Sequence, residues 1–126
     1  MAKQNILIVE DESLLSEAYT TILQKEGFKT TVAYDGQKAL ELLKSQPFDL
    51  ILLDLRMPKM NGIEFLKTFK KSKLGKLPKT IVFSNYDAQK DIDLAFKYGA
   101  VRYMLKAWAS PKELVKVVRD TLASQY

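Results

Sequence analysis

"DLILLDLRMPKMNG", residues 49–62, runs four aliphatic residues straight into a carboxylate at Asp54 and then breaks at Pro58 and Asn61-Gly62. An uninterrupted apolar run of that length bounded by turn residues reads as a strand buried on both faces, the kind found inside parallel sheets. Burying an unpaired carboxylate costs several kcal/mol, roughly, so Asp54 either emerges at a surface or meets a cation where the strand ends.

The segments on either side repeat the pattern of a short apolar run followed by a helical period. Ile6-Leu7-Ile8-Val9 is a strand, and residues 13–26 form a helix with Leu14, Leu15, Ala18, Tyr19, Ile22 and Leu23 on one face before Gly27 closes it. Residues 29–34, "KTTVAY", read as a second strand, and Asp35-Gly36 opens a helix carrying Ala39, Leu40, Leu42 and Leu43 until Gln46-Pro47 stops it. Beyond the quoted stretch, Asn61-Gly62-Ile63-Glu64 resembles a capping box for a helix through about Lys71, and Thr80-Ile81-Val82-Phe83 is the fourth strand. Asp87 is expected to cap the fourth helix, whose apolar face is Ile92, Ala95 and Phe96. Gly99 ends that helix, and residues 101–105 make the fifth strand. Ser110-Pro111-Lys112-Glu113 then starts a helix with Leu114, Val117, Val118 and Leu122 inside.

Strict strand-helix alternation requires parallel strands joined by right-handed crossovers, which gives an α/β fold. The expected architecture is a three-layer α/β/α sandwich with five helices and a five-stranded parallel sheet, flavodoxin-like. Strands one, three and four are continuous aliphatic runs, whereas strand two holds Lys29, Thr30 and Thr31 and strand five holds Arg102. The polar pair belongs at the edges, and the order 2-1-3-4-5 puts it there. In such sheets a ligand sits beyond the carboxyl ends of the strands where the order reverses, here between strands one and three.

With 126 residues, 47% apolar and 28% charged, the chain fits one globular domain spanning 1–126. No apolar run approaches the roughly 20 residues that span a bilayer, and the N-terminal stretch is too short for a signal peptide, so the expected location is the cytoplasm, without membrane attachment. Cysteine and histidine are both absent, which excludes disulfides, thiolate or imidazole metal sites and nucleophilic triads. What remains is suited to hard oxygen-liganded cations and phosphoryl groups. The net charge of +5 is concentrated at Lys67, Lys70, Lys71, Lys73, Lys76 and Lys79. That run reads first as a solvated loop and second as a surface for an acidic partner or nucleic acid. Only Phe69 lies nearby to stack on bases, so nucleic acid is not the expected partner of this domain alone.

Strand one ends in Glu10-Asp11-Glu12 and strand three in Asp54, so the topology brings at least three carboxylates to one crevice. Two like charges about 4 Å apart repel by roughly 4 kcal/mol at an effective dielectric near 20, and a divalent cation is the simplest remedy. An oxygen-only ligand set with no large cage favours Mg²⁺ over Ca²⁺. Ser84 at the end of strand four and Lys106 just past strand five reach the same edge. The blander readings are a helix N-terminus that favours acids at residues 10–12 and a turn aspartate at Asp54.

"ILIVEDE", "DLILLDLRMPKMNG", "IVFSNYD" and "YMLKA" together resemble, over essentially the whole chain, the ordered motifs of the response-regulator receiver domain, of the single-domain, chemotaxis-regulator-like type. The resemblance implies that Asp54 is the phosphoacceptor, that Glu10 and Asp11 are the acidic metal pair, and that the main-chain carbonyl of Arg56 joins them and Asp54 around Mg²⁺. It further implies that Ser84 is the switch hydroxyl, that Lys106 is the phosphoryl-binding lysine, and that Tyr103 is the aromatic whose rotamer follows activation. Asp54 would then accept a phosphoryl group from a histidine kinase, a phosphotransfer protein or a small phosphodonor. Catalysis would extend only to the chain's own phosphorylation and dephosphorylation. Output would pass to a downstream protein target or a further domain, with the fourth helix, fifth strand and fifth helix as the family's habitual face.

Asn85 stands where the family has a small residue, and Ala107 where it has a proline across a cis peptide. A non-proline cis bond costs roughly 2.5–4 kcal/mol, which favours a trans 106–107 bond and a shifted reach for Lys106. The bulk of Arg56 and Tyr86 is expected to hinder hydrolytic water and prolong the phosphorylated form. The rival reading is a receiver-like docking module that works without phosphorylation. An aspartyl phosphatase would need a second aspartate where Arg56 stands, and a nucleotide-binding sandwich would need a phosphate loop where "VEDESLL" is acidic.

Overall fold

In a computed structural model, which describes residues 3–85 and 88–124, five strands alternate with five helices from end to end. They are β1 (Asn5–Val9), α1 (Ser13–Lys25), β2 (Lys29–Ala33), α2 (Gly36–Ser45), β3 (Leu50–Leu53), α3 (Gly62–Ser72), β4 (Lys79–Ser84), α4 (Gln89–Lys97), β5 (Arg102–Leu105) and α5 (Pro111–Ala123), with a 3₁₀ turn, Lys106–Trp108, before the last. The strands form one parallel sheet in the order β2-β1-β3-β4-β5, with the polar strands at its edges as expected.

Side chains alternate across a strand, so each strand contributes to two cores. Ile6, Ile8, Leu50, Leu52, Ile81 and Phe83 pack under Tyr19 and Leu23 of α1 and Leu114 and Val118 of α5. Leu7, Val9, Ile51, Leu53 and Val82 face the other way, against Ala39 of α2, Phe65 and Leu66 of α3 and Ala95 of α4. A slip of one residue in β3 would exchange these two sets, which pins the strand and fixes where Asp54 emerges.

Helix starts follow the local chemistry. Asn61 and Glu64 form a reciprocal capping box at α3, Asp35 accepts the Lys38 N–H at α2, and Ser110 accepts the Glu113 N–H with Pro111 at the first helical position of α5. Helix α4 starts at Gln89 with Ala88 before it, and Asp87, the expected cap, lies outside the described residues.

Two expected apolar faces are corrected. In α1 the buried stripe runs Ser16, Tyr19, Leu23, so Leu14, about 200° around the helix from Ser16, points to solvent and is 82% exposed, and Ala18 is exposed as well. The buried Ser16 hydroxyl donates to the Ser13 carbonyl, which is what lets a polar residue occupy that stripe. In α4 only Ala95 is fully buried, and Phe96, one residue further around, stays 45% exposed. The basic run is also not all loop. Lys79 belongs to β4, and its ammonium donates to the carbonyls of Leu122 and Ser124 at the end of α5.

The link from β3 to α3 is tied down on both sides. Gly62 N–H donates to the Leu55 carbonyl at 3.0 Å, Gly36 N–H donates to the Met60 carbonyl at 3.1 Å, and the Lys59 ammonium lies 3.8 Å from the Asp35 carboxylate. A Cβ on Gly62 would sit 2.7 Å from the Asp54 carbonyl oxygen and 2.9 Å from Leu55 Cα, both backbone atoms that cannot step aside alone. Gly62→Ala is therefore expected to displace the segment that carries Asp54 and to lower stability by roughly 1–3 kcal/mol, read as a drop in denaturation midpoint.

Candidate functional site

The ladder puts the acidic groups level with one another. Val9 pairs with Leu53, so Glu10 and Asp54 leave adjacent strands at the same height. Backbone bonds continue the ladder past the strand ends, with Asp54 N–H donating to the Val9 carbonyl and Glu10 N–H to the Ala33 carbonyl, each at 3.0 Å. Glu10 and Asp54 are buried, Asp11 is half-buried, and the three offer carboxylate oxygens that all lie within 4.8 Å of one another.

Ser84 closes β4, fully buried, and pairs in register with Leu105, so Lys106 enters the crevice from the next residue. The Lys106 ammonium contacts Glu10 Oε1 directly and lies 3.4 Å from Asp54 Oδ2. Among the described residues there is no cis peptide, so the 106–107 bond is trans as expected, and the ammonium nevertheless reaches both carboxylates. Main-chain donors complete the pocket. Glu12 N–H donates to Glu10 Oε2 at 3.2 Å and Arg56 N–H to Asp54 Oδ1 at 3.3 Å. Asn85 and Arg56 are exposed, Tyr103 is half-buried against the core that α2, α3 and α4 cover, and Tyr86 lies outside the described residues.

The question raised by residues 49–62 thus has a physical answer. Asp54 is buried because a cation meets it at the strand end. One ammonium does not balance three carboxylates. Burial pushes the Glu10 carboxyl from its ordinary 4.5 up to about 7, and the Asp54 charge adds to the rise against the pull of Lys106. A hard divalent cation fits this donor set of oxygens, which carries more negative charge than Lys106 neutralises.

Native Glu10 keeps its proton between 4.5 and about 7, a range in which the unfolded chain has already lost it. The native state then binds more protons, so the group's contribution to stability falls as pH rises through that window and levels off above it. A cation that binds the ionised form gains affinity over the same window. Melting curves in chelator are expected to show this decline, magnesium is expected to reverse it, and Glu10→Gln is expected to remove the slope.

Two residues that the sequence reading did not single out for the site shape it. Gly62 is one, through its close approach to the Asp54 backbone. Tyr19 is the other, a core residue whose ring packs on Phe83 at 5.1 Å and whose phenol is pushed up by burial and by the charges of Glu10, Asp54 and Glu12. It stays a neutral group beside the acids. Its only sequence signal was a polar tip on an apolar helix face.

A family model described as the response regulator receiver domain matches residues 6–119. The DNA-binding response regulator MtrA of Mycobacterium tuberculosis is 38% identical over 120 residues, which cover 95% of this chain and 51% of that protein. The chain spans about half the length of the curated relatives it matches. Among solved structures, a CheY-like receiver domain protein from Methanospirillum hungatei superposes with a TM-score of 0.87 at 26% identity, covering 96% of this chain and 94% of that one. The receiver domain of the sensor histidine kinase PA1611 from Pseudomonas aeruginosa, solved with a magnesium ion coordinated in its active-site cleft, gives a TM-score of 0.86 at 25% identity, covering 98% of this chain and all of that one, 100%.

Proposed function

The chain belongs to the response regulator receiver domain family, and from that premise we propose that Asp54 is the residue through which it works as a phosphorylation-dependent signalling switch. The observation that carries this reading is the Lys106 ammonium seated between the buried Asp54 and Glu10 carboxylates, with Asp11 beside them. In the proposed reaction an Asp54 oxygen attacks the phosphorus of a phosphohistidine on a histidine kinase or phosphotransfer protein. An O–P bond forms as the N–P bond breaks, and the imidazole leaves and takes up a proton. Lys106 neutralises charge gathering on the phosphoryl oxygens, and the Ser84 hydroxyl donates to one of them. Glu10, Asp11, Asp54 and the Arg56 carbonyl are the proposed ligands of Mg²⁺, which when bound supplies positive charge for the same oxygens.

The acylphosphate adds charge where β3, β4 and β5 end, and the altered pocket, with Tyr103 following Ser84, biases partner binding. Turnover is confined to the chain's own phosphorylation and dephosphorylation. Residues 1–126 are proposed as one receiver domain acting in the cytoplasm on a downstream protein or a further domain, and among the described residues no helix is long and apolar enough to cross a membrane. The deciding experiment is incubation with acetyl phosphate and magnesium followed by intact mass measurement. A gain of one phosphoryl group that chelator abolishes supports the switch, while an unchanged mass favours a docking module that works unmodified. Arg56, exposed beside the acceptor, is the proposed brake on hydrolytic water, so Arg56→Ala is expected to shorten the lifetime of the phosphorylated form.

A further inference from the structure

Between Glu64 and Asp87 the sequence holds six lysines and no carboxylate. One of the six, Lys79, is turned inward onto the end of α5. The others, Lys67, Lys70, Lys71, Lys73 and Lys76, lie on the second half of α3 and the loop after it, and Lys97 faces them from the last turn of α4. Among the described residues none of these six ammoniums is in an ion pair. Three of them converge on one ring, with Lys67, Lys97 and Lys70 at 5.4, 5.6 and 5.8 Å from the Tyr98 centroid.

Helix dipoles account for part of this. Lys70, Lys71 and Lys97 sit in last turns, where a cation is favoured. Lys73, the C-cap of α3, shares that benefit, but Lys67 lies mid-helix and Lys76 lies beyond the cap, so the dipole gives those two no reason to gather. The Tyr98 quadrupole offsets some of the mutual repulsion but supplies no counter-charge. Between α3 and α4, Lys70, Lys76 and Lys97 rim a cleft of about 330 Å³ with a floor of Leu66, Phe69, Leu77 and Tyr98. Greasy floor and cationic rim together describe a ligand with an apolar body and negative flanks.

We propose that this cleft docks an acidic segment of a partner protein, one aromatic or aliphatic side chain on the floor and its flanking carboxylates on the lysines. Charge complementarity selects the partner's sign, and concavity selects its class. A hollow of that volume admits a side chain but not the backbone of a nucleic-acid duplex. The surface is separate from the phosphorylation site. α3 begins beside Asp54 at Gly62 and carries the lysines away along its 11 residues, roughly 16 Å at 1.5 Å per residue.

The test uses the intact chain and three probes: a short polyglutamate peptide with a central phenylalanine, the same peptide with alanine in its place, and duplex DNA. The phenylalanine peptide is expected to bind roughly tenfold or more tightly than the alanine one, as a buried aromatic anchor would give. It is also expected to shift the amide resonances of Phe69, Gly75, Leu77 and Gly99. The pair Lys70→Glu with Lys97→Glu is expected to abolish this binding, while Lys112→Glu with Lys116→Glu, the same change in net charge on α5, leaves it. Equal binding of the two peptides, shifts scattered elsewhere, equal loss in both charge-reversed pairs, or tighter binding of duplex DNA at these lysines would each overturn the proposal.

Discussion

Asp54→Asn is expected to take up no phosphoryl group from acetyl phosphate while remaining folded, because the substitution removes the nucleophilic oxygen but little net electrostatic energy. In the native cluster Asp54 is attracted by Lys106 at 3.4 Å and repelled by Glu10 and Asp11, whose carboxylates lie within 4.8 Å. Those contributions have opposite sign and similar range, so the variant should keep the parent's stability to within about 1 kcal/mol. The two readouts are an unchanged intact mass after incubation and a denaturation midpoint close to that of the parent. A retained mass gain would move the acceptor to another residue.

Lys106→Met is expected to have the opposite profile, a large loss of stability together with a large loss of rate. The substitution keeps an unbranched apolar stem and deletes the ammonium that contacts the buried Glu10 and Asp54. Removing one partner of a buried ion pair costs about 3–5 kcal/mol, most of it from the charges left behind. Magnesium should restore much of that loss, so the rise in melting temperature on adding it should be larger for the variant than for the parent, where the cation competes with Lys106. Phosphorylation should stay slow even at saturating magnesium, by about 10²–10³-fold, if the ammonium stabilises the transferring group. A variant that melts like the parent in chelator would show that Lys106 does not balance the cluster.

Sequence legibility was uneven across the molecule for physical reasons. The sheet order came from two properties local to each strand, aliphatic continuity in β1, β3 and β4 and polar residues in β2 and β5, and each is set by how many faces the strand buries. The crevice followed, since a parallel sheet forces Glu10, Asp54, Ser84 and Lys106 to leave at the same end. Helix faces were less readable. Leu14 and Phe96 look like core residues by type, yet burial depends on which phase of the helix meets the sheet, and that is settled by packing against layers distant in sequence. The inward turn of Lys79 and the crowding of Gly62 against Asp54 likewise arise from chain segments far apart or from backbone approach, neither of which leaves a residue-type signature.

The ties between Met60 and Gly36, Leu55 and Gly62, and Lys59 and Asp35 make one wall of the crevice stiff. A rigid anvil on that side leaves little give in the segment that holds the acceptor. If Asp54 takes up phosphate, the strain is expected to pass to the opposite bank, where β4 and β5 deliver Ser84 and Lys106, which would give the conformational message a direction of travel.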